Sequence, residues 1–249
     1  MHINSLTKSV QFKLINLDVV SSTNTIAREF VQQGQANEGL VIAANEQTAG
    51  RGQQGTAWEG EYGKNILCSV VFVPSFLNIS QQTWLNMAFC LALRDALSTY
   101  SSRVRIKWPN DIYIGHQKVA GILIENSLQG AQIKNCILGF GINVNQQHFN
   151  ETKATSLIHH TQQTLEVSEV LESVLNHLQV RYNQVQLLQF KRIKTDYMAN
   201  LLGLNQELAF EAGGKCFNAT IIGVDDDGRL VVNKNGQTEK YMVKQISML

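Results

Sequence analysis

Two short strings in this chain bring together residue types suited to gripping an anion. Gly50-Arg51-Gly52-Gln53-Gln54-Gly55 sets a guanidinium between glycines. Backbone N–H groups can approach a carboxylate or phosphate there, while the arginine fork binds it bidentately. Lys107-Trp108-Pro109-Asn110-Asp111 crowds a cation, a large aromatic, a rigid turn former and two short polar side chains into one turn, and Lys118 follows with Ala120-Gly121 leaving the backbone open. Taken singly, the first string is also an ordinary connector and the second an ordinary tight turn. The first string satisfies G-x-G-x-x-G, but no helix opens after it, because Thr56 to Gly63 continues as loop with two more glycines. It is not a Walker loop either, since Gly55 is followed by Thr56 and Ala57 rather than by lysine and a hydroxyl. Ser, Cys and His form no local nucleophile signature, and His159-His160 lies in a polar stretch expected at the surface. The chemistry these residues suit is charge neutralisation and positioning rather than covalent catalysis.

The elements that must hold these strings follow from hydrophobic spacing. Phe12 to Val20 predicts a strand, Ser21-Ser22-Thr23-Asn24 offers capping hydroxyls, and an amphipathic helix then closes at Gly34. Gly39 to Glu46 and Asn65 to Val73 predict strands on either side of the glycine-rich loop, and Ser80 to Tyr100 carries the apolar spacing of a packing helix. Val104 to Trp108, Asp111 to Ile114, Lys118 to Glu125 and Ile133 to Val144 predict four more strands, with Gly115-His116-Gln117 as a hairpin turn. Short hairpins require antiparallel neighbours, so the expectation is an α+β fold, a mixed or antiparallel sheet with helices on one side. Ser168 to Leu202 predicts two helices. After Gly203 come short alternating runs, Gln206 to Glu211, Cys216 to Val224 and Leu230 to Asn233, which suggest a small C-terminal β-barrel. The expected domains are therefore 1–203 and 204–249.

Composition narrows the function classes. The chain has 249 residues, 44% of them hydrophobic, enough to bury a sizeable core. Its 21 basic and 20 acidic residues leave a formal +1, so no global field favours nucleic acid or an anionic membrane. Cys68, Cys90, Cys136 and Cys216 are widely spaced without a C-x-x-C pair, which fits free thiols in a reducing compartment. The N-terminal stretch lacks a signal-peptide pattern, and no window approaches the roughly 20 apolar residues of a membrane span. A cytoplasmic protein is expected.

Five strings together carry a more specific resemblance. They are Ser22-Thr23-Asn24, Gln47 to Gly52, Lys107 to Asp111, Lys118 to Glu125 and Gly139-Phe140-Gly141-Ile142-Asn143-Val144-Asn145. In this order and spacing they closely resemble the biotin protein ligases, strongly over residues 12 to 150 and only in general layout beyond. The resemblance implies a catalytic domain related to class II aminoacyl-tRNA synthetases and an SH3-like barrel after it. It also implies an enzyme that forms biotinyl-AMP from biotin and ATP with Mg2+, then transfers biotin to a lysine of a biotin carboxyl carrier protein of acetyl-CoA carboxylase or a related enzyme. Carried over by position, Ser22, Thr23, Asn24, Gln47, Arg51, Gly52, Gln53 and Lys118 would bind biotin. Trp58, Lys107, Asn110, Asp111 and Asn143 would face the nucleotide, with Asn143 near phosphate or metal, and Arg51, Lys118 and Asp111 would serve catalysis.

Family members that also repress transcription carry an N-terminal DNA-binding module; about 11 residues precede the first strand here, so no DNA binding is expected. Some members have further arginines where this chain has Gln53 and Gln54. The loop is thus less basic, which predicts faster leakage of the adenylate than from a Gln53→Arg variant. A lipoate ligase is the rival nearest in fold, and a noncatalytic module holding a protein or RNA on the barrel is the rival of another class. The resemblance leaves open monomer or homodimer and the identity of the acceptor.

Overall fold

The computed structural model describes residues 9–52 and 58–249. Strand β1 (Lys13–Val20) and strand β2 (Leu40–Gln47) are joined by helix α1 (Thr23–Gln32). Because the chain crosses back through a helix, the two strands run parallel, Lys13 opposite Leu40 and Val20 opposite Gln47. After the glycine-rich loop come β3 (Asn65–Phe72), helix α2 (Gln82–Leu97), β4 (Val104–Lys107), β5 (Asp111–Ile114), β6 (Gln117–Gln129) and β7 (Gln132–Asn143). They complete a seven-stranded mixed sheet in the order β1-β2-β3-β7-β6-β5-β4, antiparallel apart from the β1–β2 pair. Helices α3 (Leu157–Thr161), α4 (Val167–Gln186) and α5 (Phe190–Ala199) follow.

Helices cover both faces of this sheet, not one as expected. β3 is buried along its whole length. Its Ile66, Cys68, Val70 and Phe72 pack with α2 and α4, whereas Val71 joins Ile42, Ile137 and Ala27 of α1 on the opposite face. The parallel β1–α1–β2 crossover is the reason, because it carries α1 over one face while the longer helices occupy the other. On that second face Arg181 of α4 reaches Asp95 of α2 at 2.6 Å and Asp196 of α5 at 2.5 Å, locking three helices together. Ser22 takes the N-cap position of α1, but its hydroxyl makes no capping bond, contrary to expectation.

The C-terminal residues form a five-stranded antiparallel sheet, β8 (Glu207–Ala212), β9 (Lys215–Val224), β10 (Leu230–Lys234), β11 (Gln237–Tyr241) and β12 (Ser247–Met248), in the order β11-β10-β9-β8-β12. Its Phe210, Ile221, Leu230 and Val232 belong to the same apolar cluster as α2, α4 and the large sheet. Trp108 Nε1 donates to the Gly228 carbonyl at 2.9 Å, tying the small sheet to the turn between β4 and β5. All four cysteines are free, and Cys68, Cys90 and Cys136 are buried. No helix among the described residues is long and apolar enough to cross a membrane.

Candidate active site

The site lies on the α1 face of the large sheet, beyond the N-terminus of the helix. Register places Gly121 opposite Gly141 and Gly139 opposite both Leu123 and Ser69. Gly121, Gly139 and Gly141 thus share one face, and their lack of side chains leaves a hollow in an otherwise filled sheet. Neighbouring side chains occupy the hollow. A Cβ on Gly139 would lie 2.2 Å from Asn24 Oδ1, and one on Gly141 would lie 2.3 Å from Trp58 Cε2. The resulting cavity, about 240 Å³, is lined by residues that include Ser22, Thr23, Asn24, Gln47, Arg51, Gly52, Trp58, Asn110, Asp111 and Lys118.

Each wall is held by bonds from a different element. The Gln47 carboxamide oxygen accepts from the Thr23 amide at 2.7 Å and the Thr23 hydroxyl at 3.1 Å. A free amide at the start of α1 is thereby satisfied, and the Gln47 NH2 group is left on the loop side. Ser69 Oγ lies 2.6 Å from Asn24 Oδ1 and 2.8 Å from Thr23 Oγ1. Asn24 Nδ2 donates to Glu125 at 2.9 Å, and Arg28 pairs with the same carboxylate at 2.6 Å. Above the cavity Arg51 donates to Thr25 Oγ1 at 3.1 Å, and the Trp58 amide donates to the Gly50 carbonyl at 3.1 Å, closing the neck of the loop. Trp58 Nε1 is buried without a partner among the described residues, and the Lys118 ammonium stands 5.7 Å from the Trp58 ring centroid.

Lys118 reaches the cavity through a β-bulge. Asp111 opposes Gly121 and Tyr113 opposes Lys118, with a register shift between Ile112 and Tyr113. In regular alternation Lys118 and Gly121 would point to opposite faces. The extra residue puts both beside Asp111, and Lys118 Nζ pairs with Asp111 Oδ1 at 2.8 Å. A Cβ on Gly121 would meet Lys118 Cε at 3.1 Å and Asp111 Oδ1 at 3.2 Å, so the glycine makes room for the ion pair. The turn before it is pinned from two helices, since the Pro109 carbonyl accepts from Asn86 of α2 at 2.9 Å and from the Tyr197 hydroxyl of α5 at 3.3 Å.

The remaining candidates sit differently. Asn110 is buried, exchanging bonds with Ile122 of β6: its Nδ2 donates to the Ile122 carbonyl and its own carbonyl accepts from the Ile122 amide at 3.2 Å. Lys107 stands outside the cavity lining, beneath Tyr113, with its ammonium 5.1 Å from the ring centroid. Burial foremost, then the Lys153 and Lys118 ammoniums, lower its pKa, against the opposing pull of Asp111 and Glu151. Asn143 is also outside the lining; its Nδ2 donates to the Thr155 carbonyl at 2.9 Å, and its buried Oδ1 has no partner among the described residues. Gln53 lies outside the described residues. Sequence reasoning missed Ser69 and Glu125 as supports of Asn24. Ser69 is hidden in an apolar run, although a lone hydroxyl in a fully buried strand is itself a signal.

The chain is similar to known proteins in sequence and in fold. Residues 17–143 match the Biotin/lipoate A/B protein ligase family. The Bifunctional ligase/repressor BirA of Bacillus spizizenii is 30% identical over 241 residues, which span 94% of this chain and 74% of that protein. The Biotin–[acetyl-CoA-carboxylase] ligase of Mycobacterium tuberculosis is 28% identical over 235 residues, 89% of this chain and 85% of that protein. Among solved structures, the biotin protein ligase from Aquifex aeolicus in complex with biotin and ATP superposes with a TM-score of 0.80 at 26% identity, covering 95% of this chain and 98% of that one. The chain belongs to the biotin/lipoate A/B protein ligase family.

Proposed function

We propose that this protein is an ATP-dependent biotin protein ligase. In this reading biotin and ATP give biotinyl-AMP and pyrophosphate, and the biotinyl group then passes to a lysine of a biotin carboxyl carrier protein in the cytoplasm. The convergence of Arg51, Lys118, Asp111, Gln47 and the Ser22 to Asn24 hydroxyls and amide on one glycine-floored cavity carries the reading. The catalytic body is read as 1–203 and the appended barrel as 204–249.

Biotin is apolar apart from a urea and a carboxylate, and the cavity meets it with a few directed groups. The Ser22 and Thr23 hydroxyls, Asn24 and the Gln47 NH2 group are suited to the urea, with Leu123, Ile122 and Trp58 as apolar walls. In the first step a carboxylate oxygen attacks the α-phosphorus, and the bond to the bridging oxygen of pyrophosphate breaks. The carboxylate is already ionised at neutral pH, so no general base is required. The task is to bring two anions together, which Arg51, Gly52 N–H and Lys118 perform by holding carboxylate and phosphate oxygens. Asp111 keeps the Lys118 ammonium aimed at them through the 2.8 Å pair. In the second step an acceptor amine attacks the acyl carbon, AMP leaves, and the Asp111 carboxylate is the base nearest to Lys118 for the released proton.

A magnesium ion fits the residues present. Asn143 Oδ1 is a buried carboxamide oxygen without a partner among the described residues. Among the described residues no three carboxylates, histidines or cysteines cluster, which suits a cation held mainly by phosphates and water. Asn143 would hold it directly or through water, and the ion would neutralise charge on the triphosphate.

The test is pyrophosphate release from ATP and magnesium with biotin, and separately with lipoate or octanoate, in wild type and Lys118→Ala. Release that needs biotin and is lost in the variant is the expected result. Release with lipoate alone transfers the chain to the lipoate branch of the family, and release with neither acid refutes the reading.

A further inference from the structure

Asn24, Ser69, Thr23 and Gln47 form one chain of close oxygen contacts in and behind the cavity wall. Asn24 Oδ1 lies 2.6 Å from Ser69 Oγ, Ser69 Oγ lies 2.8 Å from Thr23 Oγ1, and Thr23 Oγ1 lies 3.1 Å from Gln47 Oε1. Both ends can only accept. Asn24 turns its NH2 group to the Glu125 carboxylate at 2.9 Å, which Arg28 holds at 2.6 Å, and Gln47 Oε1 faces the Thr23 amide at 2.7 Å. Rotating either carboxamide would set oxygen against carboxylate or N–H against N–H. The three contacts therefore share the hydroxyl protons of Ser69 and Thr23 alone, and one contact goes without.

Distance decides which. Two oxygens tolerate the 3.1 Å of the Thr23–Gln47 contact without a proton, whereas 2.6 and 2.8 Å require one. Gln47 Oε1 also keeps the Thr23 amide, so it is the end that can give up a hydroxyl. Ser69 then donates to Asn24, and Thr23 donates to Ser69. With its proton turned inward, Thr23 Oγ1 offers only lone pairs to the cavity that Thr23 lines. Ser69 and Glu125 stand outside that lining. We infer that Ser69 and Glu125 are positioning residues that fix Thr23 as a hydrogen-bond acceptor, so that the site selects an acid presenting an N–H at that point. A cyclic urea does so; the dithiolane of lipoate and the alkyl chain of octanoate do not. That the acid is biotin rests on the ligase reading; the direction of the hydroxyls does not.

Neutron diffraction from the unliganded, deuterated protein reads the hydroxyl directions. The Thr23 deuteron should point to Ser69 and the Ser69 deuteron to Asn24; a Thr23 deuteron on the line to Gln47 overturns the inference. Selectivity is read by calorimetry with biotin and with its two cyclic carbamate analogues, in which a ring oxygen replaces one or the other urea N–H. Wild type should bind one of the two about 100-fold more weakly than biotin, since an acceptor then faces an acceptor. Binding both carbamates as well as biotin overturns the inference. Ser69→Ala removes the inward partner of Thr23, and Glu125→Gln lets Asn24 turn and reverse the relay. Each frees the Thr23 proton for the ligand and should cut the ratio of biotin to carbamate affinity about tenfold. Equal losses for biotin and carbamate, as a purely structural role would give, overturn the inference. In Thr23→Val, which lacks the hydroxyl, adding Ser69→Ala should leave the ratio unchanged, and a further change overturns the inference too. Wild type that binds none of the three ligands, with the deuterons as expected, sinks the ligase reading and leaves the relay standing.

Discussion

Gly139→Ala is the smallest change that should damage both the fold and the site. The added methyl would lie 2.2 Å from Asn24 Oδ1, 2.8 Å from its Cγ and 3.0 Å from its Nδ2, whereas unstrained carbon contacts need about 3.5 Å. Asn24 has to move by about 1 Å, and it has little freedom to do so. It is 3% exposed, Ser69 holds its oxygen at 2.6 Å, and Glu125 holds its nitrogen at 2.9 Å. Displacement breaks one neutral bond worth about 1 kcal/mol and one bond to a carboxylate worth about 2 kcal/mol, together about 3 kcal/mol. At this chain length a loss of that size lowers the melting temperature by about 6–12 °C. Asn24 also loses its place in the cavity wall, so biotin binding should weaken about tenfold, one hydrogen bond's worth.

Calorimetry of the unliganded protein and titration with biotin measure the two effects separately. The clash explanation makes a further demand. Asn24→Ser removes the atoms the methyl would strike, so Gly139→Ala combined with Asn24→Ser should cost less than the two changes summed. A Gly139→Ala protein melting within about 2 °C of wild type and binding biotin normally would refute the reasoning, as would strict additivity in the double variant.

Three further outcomes are expected. Gly141→Ala should expel the Trp58 ring, which a Cβ there would approach within 2.3 Å, and should red-shift the part of the tryptophan emission that Trp58→Phe removes; an emission spectrum identical to wild type would contradict this. Arg181→Met leaves Asp95 and Asp196 without their shared cation inside the helix layer and should cost about 3 kcal/mol in denaturant titration; a loss under about 1 kcal/mol would show that the helices do not depend on the triad. Burial, with the Asp111 and Glu151 charges, pushes the Tyr113 phenol up to about 12. Its folded pKa thus exceeds the unfolded value near 10, so its contribution is intact below about pH 10 and is lost as pH rises through about 12. Tyr113→Phe should retain more stability than wild type across that window, and parallel alkaline unfolding of the two proteins would exclude the phenol as a cause.

The parts of the site legible in the sequence are those where one residue type leaves a local mark. Gly121 announced close approach, and with Gly139 and Gly141, which the sequence offered only within a motif of the resemblance, it forms the floor of the cavity. Arg51 between glycines announced an anion grip, and it lines the same cavity. What stayed hidden depends on pairing between distant segments. β11 and β12 are short and polar, so their membership in a sheet comes from neighbours rather than from alternation. α1 has an apolar stripe that says it packs on something, but only the parallel register of β1 and β2 decides which face it covers. Asn110 has the composition of a turn residue and is one, yet its two bonds to Ile122 also fix the start of the Lys118 strand to the turn.

Lys118 shows most clearly why such a reading falls short. Counting alternation from Gly121, a residue that opens toward the cavity, puts position 118 on the other face of the sheet. The bulge opposite Ile112 and Tyr113 reverses that placement, and it consists of one extra residue whose presence is defined only by the partner strand. The same device explains why the ammonium can be exposed to ligand while its backbone is held tightly. Pairing with β5 continues past the bulge, Lys118 opposite Tyr113 and Gln117 opposite Ile114, while the amide and carbonyl of Lys118 bond to the segment around Lys153 and Thr155. The aim of the ammonium is therefore set by three pieces of chain far apart in sequence, and altering any of them should move it without touching Lys118 itself.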